Sequence, residues 1–469
     1  MQPVVSVEQM QELDARAIAT VGLDRLIERA GYAAAMVARR MLGGLYGRRI
    51  VVIAGKGHNG DDGRSCARVL RSRGAQVTVF GVAEAHSMTI DADLVIDGAY
   101  GTGFHGDYVA PRIVGTTKVL ALDIASGVDA MTGVAAQGAV RADVTVTFGA
   151  YKPGLFFHDG PTHSGEIVLD PIGLEVDLAT CWLIDQGDVI EAIPLRQAGA
   201  HKWDHAILVL AGSPGMTGAA HLCALGALRA GASMVRLGAP GVLATDYDLT
   251  EAVSLSFPLK GAVAAISHEL TRCRALVVGP GLSLDRAILA VARKVIFSVT
   301  ELPIVVDADG LSALGSIGGD RPPLFAHNPN VIVTPHDGEF ARLFGRPPGV
   351  DRIGDANELA QRLGGVVLLK GPTTIVAGGD GAVFLINSGS SALATAGTGD
   401  VLSGVIGALL ARGVEPVHAT AIAAYLHGRA GRLYQGEGLI ASDLPALIAR
   451  LFGSIEDPVR ARGEETSPR

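Results

Sequence analysis

Short apolar runs, each closed by a glycine or acidic loop, recur along this 469-residue chain in two series. That pattern restricts the chain to an α/β architecture built on parallel sheets. The first series is RRIVVIAGKGHNGDDG, QVTVFGV, DADLVIDGAYGTGFHG, KVLALDIASGVDAMTG and DVTVTFGAYKPG. The second is HAILVLAGSPGMTGAA, ALVVGPGLS, PIVVDADGLSAL, NVIVTPHDGEFARL, GVVLLKGPTTIVAG and ATAGTGDVLSGVIGALLARG. Helical spacing of apolar residues over 6–42 predicts one or two helices ahead of the first series. The pattern weakens over 158–200, which reads as a returning strand and a connector. Two domains are therefore expected, 1–200 and 201–455, with a polar tail at 456–469.

Composition narrows the function classes. Lys and Arg number 39 against 47 Asp and Glu, a net charge of −8, and aromatics are only 5%. Both disfavour nucleic acid, which needs a basic footprint and stacking platforms. Local loops can still hold a phosphorylated small molecule through backbone N–H groups. Mean hydropathy is positive, yet no apolar run is long enough for a membrane span, and doubly buried parallel strands explain it better. The opening MQPVVSVEQMQELD lacks the pattern of a secretory signal. Cys66, Cys181, Cys223 and Cys273 form no CxxC pair, which favours reduced thiols and a cytoplasmic location.

In the first series, Gly55-Lys56-Gly57-His58-Asn59-Gly60-Asp61-Asp62-Gly63 follows a strand and opens a helix. Glycines there let backbone N–H groups approach a phosphate, although the spacing is not GxGxxG. Asp97 ends a later strand before Gly101-Thr102-Gly103, and Asp123 ends the next before Ser126-Gly127. Carboxyl ends of adjacent parallel strands face one crevice, so Asn59, Asp97, Asp123 and Ser126 are candidates to converge. Such oxygens suit a hard cation, and Asp123 suits acid/base work. The alternative is that each aspartate caps the helix that follows.

In the second series, Ala394-Thr395-Ala396-Gly397-Thr398-Gly399-Asp400 runs into a clear helix. Its glycines can wrap a phosphate, and Asp400 can take a proton from an attacking hydroxyl. Lys370-Gly371-Pro372-Thr373-Thr374 follows a strand and offers a cation to a phosphate, or only a solvated strand end. Thr334-Pro335-His336-Asp337-Gly338-Glu339 reads as a substrate-contacting loop rather than a metal site, since no second histidine follows at zincin spacing. Asp307 and Asp309 end a strand and either line the same crevice or cap.

LIERAG, AGKGHNGDDG, DGAYGTGFHG, LDIASGVDAMTG and TFGAYKPG, in this order, resemble the YjeF N-terminal domain of the NAD(P)H-hydrate epimerases over roughly 6–170. The resemblance implies a Rossmann-like three-layer α/β/α fold. It implies that His58, Asn59, Gly60, Asp61, Asp62 and the run Gly101, Thr102, Gly103, Phe104, His105, Gly106, Asp107 contact hydrated nucleotide. It implies a potassium site at Asn59, Asp97 and Ser126, and Asp123 as substrate contact and acid/base. Three positions depart from the family pattern: His58 stands for asparagine, Asp61 for glycine and Ala125 for proline. Asp61 brings a negative charge toward the expected phosphate site.

AGSPGMTGAAHLCALGALRAGA, VVGPGLS, VVDADGLSAL, TPHDGEFARL, KGPTTIVA and ATAGTGDVLSG look like the YjeF C-terminal domain over about 200–452. That family is the nucleotide-dependent NAD(P)H-hydrate dehydratase, with a ribokinase-like α/β fold. By position, Ala219, Gly281 and His336 match contacts to hydrated nucleotide. Lys370, Gly371, Pro372, Thr373, Thr374 and Gly399 match contacts to ADP or AMP. Asp400 matches the catalytic aspartate, and Ala396 stands where a glycine is usual.

Together the two resemblances imply a bifunctional repair enzyme. It would interconvert the R and S epimers of NADH hydrate and NADPH hydrate, then dehydrate the S epimer while ADP is hydrolysed to AMP and phosphate. Potassium is expected in the first domain, magnesium with ADP in the second, and a homo-oligomer as the assembly. Two rivals remain at this point: a ribokinase-like small-molecule kinase, and a first domain that binds without turnover.

Overall fold

The computed structural model describes residues 1–317, 323–434 and 436–456. The expected polar tail lies, apart from Glu456, outside the described residues. The chain divides into two compact units, Gln2–Trp182 and Leu183 onward. The break thus falls earlier than the expected 200. The connector belongs with the second unit because its backbone is spoken for there: Ile184 N donates to Leu385 O (3.1 Å), and Arg412 donates to Pro194 O. Among the described residues, no helix is long and apolar enough to cross a membrane.

The first unit opens with α1 (Val7–Val21) and α2 (Leu23–Leu42), separated at Gly22, whose φ of 91° breaks the helix. Ser6 and Gln9 cap α1 reciprocally. The sheet then builds from β1 (Arg49–Ala54), α3 (His58–Ser72), β2 (Gln76–Gly81), β3 (Leu94–Gly98), β4 (Lys118–Leu122), β5 (Val144–Phe148) and β6 (Glu166–Asp170). Its order is β2–β1–β3–β4–β5–β6, every pair parallel. Alanines of α2 and Cys66, Ala67 and Leu70 of α3 share a core with Val52, Ile96, Leu120 and Val146. The alternate residues Ile53, Val95 and Ala121 are buried as well, so both sheet faces are covered, as parallel strands require. The chain leaves β1 toward both neighbours, which puts a topological switch point at the carboxyl ends of β1 and β3.

The second unit carries β7 (Ala206–Leu210), α4 (Thr217–Arg229), β8 (Met234–Gly238), β9 (Ala252–Ser254), β10 (Ala275–Val278), β11 (Ile304–Val306), β12 (Val331–Val333), α5 (Asp337–Phe344), α6 (Arg352–Leu363), β13 (Val366–Leu369), β14 (Thr374–Ala377), β15 (Val383–Ile386), α7 (Thr398–Ala411) and α8 (Pro416–Leu433). Its strands run in the order β15–β14–β13–β12–β11–β10–β7–β8–β9. Pairing is parallel from β13 to β9 and antiparallel through β13, β14 and β15. The antiparallel ending departs from the expected parallel series: a short turn at Gly378–Gly381 leaves no room for a crossover helix. Helix α7 is apolar all round and buried. It meets α4 backbone to backbone, because a Cβ on Gly404 would lie 1.9 Å from Cys223 O and one on Gly226 2.4 Å from Val401 O.

Candidate active sites

In the first unit the loops after β1, β3 and β4 are stitched into one floor. Asn59 Nδ2 donates to Tyr100 O (2.7 Å) and Leu122 O (3.1 Å). Asn59 Oδ1 is buried and meets no donor, a costly state for an amide oxygen unless something else binds it. Asp97, at the end of β3, is fully buried. Its carboxylate accepts the Ser126 N–H (2.8 Å) and hydroxyl (2.7 Å) and the Ala99 N–H (3.3 Å). Burial pushes its pKa up to about 6 in spite of those donors. Ser126 Oγ also accepts the Tyr100 N–H (2.9 Å). Asn59 and Ser126 thus meet around Tyr100, with Asp97 behind them.

Asp123 follows β4 with φ 66°, a left-handed conformation that a side chain rarely adopts. Its N–H donates to Val146 O (2.7 Å). Lys152, only 1% exposed, forms an ion pair with Asp123 Oδ1. The same ammonium donates to Thr147 Oγ1 (3.1 Å) and Phe148 O (2.9 Å). Asp123 faces a cavity of about 1210 Å³. Burial, then Asp123, Asp61 and Asp14, push the Asp62 carboxyl up to about 8 against the pull of Lys152. Asp14 is raised too, first by burial.

Of the residues expected at hydrated nucleotide, His58, Asn59, Asp62, Gly101, Thr102, Gly103, Phe104, Asp107 and Asp123 line this cavity. Gly60 packs instead: a Cβ there would lie 2.1 Å from Gly55 O. Asp61 turns to Arg64 (3.0 Å), which also donates to Gly55 O (2.8 Å), so its charge is offset within one helical turn. His105 and Gly106 are exposed and outside the lining. Sequence reasoning missed Lys152 and Asp14, both cavity-lining. The signal for Lys152 was one cation inside VTVTFGAYKPGLFF; for Asp14 there was none beyond helical spacing.

In the second unit the ends of β10, β11, β12 and β13 converge on the first turn of α7. Lys370, following β13, donates its N–H to Pro335 O (2.9 Å) and its ammonium to Asp307 Oδ1 (2.7 Å). Ser403 of α7 donates to Asp307 Oδ2 (2.6 Å). Burial raises the Asp307 pKa, but Lys370 and these hydrogen bonds outweigh it and hold the group below the usual carboxylate range. Asp400 stands nearby with its pKa pushed up to about 7 by burial, then by Asp307 and Asp309, while Lys370 pulls the other way. Gly397 starts α7 at φ 89°, and a Cβ on Gly399 would lie 3.4 Å from Lys370 Nζ. The helix start leaves backbone donors available to an anion beside Asp400. Buried His427, its pKa lowered to about 4 by burial, sits 2.9 Å from Thr398 O and braces this turn.

The other expected residues line the same edge. Ser213 donates to Gly281 O (2.9 Å), and a Cβ on Gly281 would come 2.9 Å from that of Ala219. His336 caps α5, its Nδ1 accepting the Gly338 N–H (3.0 Å) and Glu339 N–H (3.4 Å), with the ring half exposed. Gly371, Pro372 and Thr373 form the β13–β14 turn, and Thr374 Oγ1 donates to Gly371 O (3.4 Å). Among the described residues, no group of three or more His, Cys, Asp or Glu is placed to hold a metal ion.

A family model described as NAD(P)H-hydrate dehydratase matches residues 207–452. A second, described as YjeF-related protein N-terminus, matches 23–93 and 81–154. A protein of Moorella thermoacetica named bifunctional NAD(P)H-hydrate repair enzyme Nnr is 32% identical, covering 97% of this chain and 98% of its own length. A protein of Mycobacterium tuberculosis with the same name is 36% identical over 90% of this chain and 92% of its own. The crystal structure of the ADP/ATP-dependent NAD(P)H-hydrate dehydratase of Bacillus subtilis, co-crystallized with ATP and Mg²⁺, is 30% identical. It covers 58% of this chain and 98% of its own, with a TM-score of 0.50.

Proposed function

The chain belongs to the family of bifunctional NAD(P)H-hydrate repair enzymes, and we propose how its two sites divide that work. It epimerises NAD(P)H hydrate and dehydrates it with an adenine nucleotide. The first unit takes the epimerisation and the second the dehydration.

The observation that carries this reading is a buried carboxylate–lysine ion pair at each site. Asp123 is itself paired with Lys152, and Asp400 is close enough to the Asp307–Lys370 pair for both charges to act on it. In the hydrate, the hydroxyl sits on the ring carbon next to nitrogen. Epimerisation breaks and remakes that carbon–oxygen bond on opposite faces. Asp123 is placed to hold the proton of the incoming or departing water. Dehydration needs a better leaving group than hydroxide. Asp400 takes the hydroxyl proton as the oxygen attacks the terminal phosphorus of ADP, with AMP leaving. The phosphate ester then departs as inorganic phosphate, the neighbouring ring carbon gives up a proton to water, and the double bond returns. The amides at the start of α7 steady the transferring phosphoryl group, so catalysis rests on positioning and charge. Hydrated nucleotide is assigned to Ala219, Gly281 and His336, and ADP to Gly399 and the Lys370–Thr374 turn.

Magnesium, when bound with the nucleotide, would offset phosphate charge in the second site. Potassium fits the first site. The unsatisfied Asn59 Oδ1, the Ser126 hydroxyl and the buried Asp97 carboxylate offer oxygens of low total charge to a large monovalent ion. The four buried free cysteines suit the cytoplasm, and a homo-oligomer is the proposed assembly.

The test supplies purified R-epimer of NADPH hydrate with ADP, magnesium and potassium. Return of reduced-nicotinamide absorbance is followed in the wild type, Asp123→Ala and Asp400→Ala, with spontaneous epimerisation subtracted. Recovery lost in both variants, with Asp123→Ala still acting on the S epimer, supports the division of work. Recovery of the R epimer at the wild-type rate by Asp123→Ala would overturn the first assignment. A stable phosphorylated product would mark the second unit as a kinase.

A further inference from the structure

We infer that Lys152 is a positioning residue for epimerisation: it anchors one oxygen of Asp123 so that the other alone is presented to the hydrate. The inference rests on the epimerase reading of the first unit. Three observations carry it. The Lys152 ammonium is 1% exposed and has three acceptors, Asp123 Oδ1, Thr147 Oγ1 and Phe148 O, one for each proton. It therefore has no donor left for a substrate. Asp123 Oδ1 is taken by Lys152 and lies 3.4 Å from the Thr147 hydroxyl. Asp123 Oδ2 instead lies beside the glycine loop that lines the cavity, 3.4 Å from where a Cβ on Gly101 would stand.

The cost of this arrangement argues for a role in catalysis. A buried ion pair rarely repays its desolvation in stability. Asp123 also holds a left-handed backbone, and such strain persists where the surroundings fix it. Lys152 is one of those fixings, tied to β5 through Thr147 and Phe148. Loss of the cation frees the carboxylate to rotate, and misplacement of a catalytic group by about 1 Å costs about 100-fold in rate.

The second activity of the same chain supplies the control. Lys152→Met keeps an unbranched side chain as far as the ε position and removes the ammonium. Its epimerase kcat is expected to fall about 100-fold with KM within about twofold, a split that marks a loss confined to the transition state. Dehydration of the S epimer should keep its wild-type rate. Lys152→Ala should regain epimerase rate with added n-propylammonium and not with n-propanol, which fills the same space without charge. Thr147→Val, which withdraws one acceptor at constant volume, should lose about fivefold. Epimerase kcat within twofold of wild type in Lys152→Met, or equal rescue by amine and alcohol, would overturn the inference. An epimerase-inactive wild type would overturn the reading beneath it instead.

Discussion

The raised pKa of Asp400 makes two linked predictions with opposite consequences for activity and stability. The group titrates near 7 in the folded chain against an ordinary 3.8. Between those values the native state binds a proton that the unfolded chain has already released. Stability must then fall as pH rises through the window. The gap, at about 1.4 kcal/mol per pH unit, is worth at most about 4 kcal/mol, reached above pH 7. Asp400→Asn cannot ionise and escapes it. Urea unfolding at pH 5 and pH 8 should show the advantage of Asp400→Asn over wild type growing by up to about 3 kcal/mol. The same variant should be inactive as a dehydratase.

Kinetics reads the same group without unfolding anything. If Asp400 must be a carboxylate to accept the hydroxyl proton, kcat/KM should drop about tenfold from pH 8 to pH 6. The two neighbours should move that limb in opposite directions. Lys370→Met removes the attraction that lowers the Asp400 pKa, so the limb should rise. Asp307→Asn removes the repulsion that raises it, so the limb should fall. A limb near pH 4 in wild type, with no pH-dependent gain in Asp400→Asn, would refute the reasoning, because burial beside Asp307 would then not be governing the site.

Three further outcomes are specific. Gly397→Ala meets a φ of 89° and puts a Cβ 2.6 Å from Leu222 Cδ1; at about 1–2 kcal/mol of backbone strain, the KM for ADP should rise about tenfold, measured by initial rates. Gly404→Ala pushes a Cβ into Cys223 O on α4; overpacking of about 1–3 kcal/mol should lower the denaturation midpoint of the second unit and spare epimerase turnover. Replacing potassium by tetramethylammonium should slow epimerisation and leave dehydration intact, and Asn59→Leu, which removes the unsatisfied oxygen, should abolish the potassium response in a titration of rate against ion concentration.

Much of this architecture is written in local signals. The strands announce themselves because parallel strands buried on both faces must be apolar and must end abruptly, as VVIAG, LVIDG and VVDADG do. Asp97 and Asp123 stood out because a carboxylate at the end of such a run has no structural duty beyond capping, and Asp400 because it follows a glycine loop that opens a helix. Lys152 did not stand out, since a lysine after a strand is ordinarily a solvated end. Its burial depends on Thr147 and Phe148 turning acceptors inward and on the left-handed turn at Asp123, neither visible in spacing. Asp61 shows the reverse. It looked disruptive as a charge replacing glycine, yet Arg64 stands three residues on, where a helix places it in reach. The hairpin of β14 and β15 was missed because its short runs have no helix between them to mark the crossover.

The two sites use the same ingredients to opposite effect, and the difference follows from where the lysine sits. In the first unit the cation touches Asp123, the carboxylate proposed to react, so one oxygen is spent on the anchor and direction is gained. In the second, Lys370 is bound to Asp307, and Asp400 is left close to a carboxylate whose charge that lysine sustains. Burial first, and then that repulsion, lifts Asp400 into the range where a base is partly ionised and willing to take a proton near pH 7. Exchanging the arrangements would fail on both sides. A directly paired Asp400 would be a weaker base toward an alcohol. An Asp123 without its anchor would have two equivalent oxygens and no fixed direction in a cavity of about 1210 Å³. Epimerisation asks one carboxylate to act at one carbon from a fixed angle, whereas phosphoryl transfer asks for proton affinity while the helix start holds the geometry. Each unit supplies the property that its own step lacks.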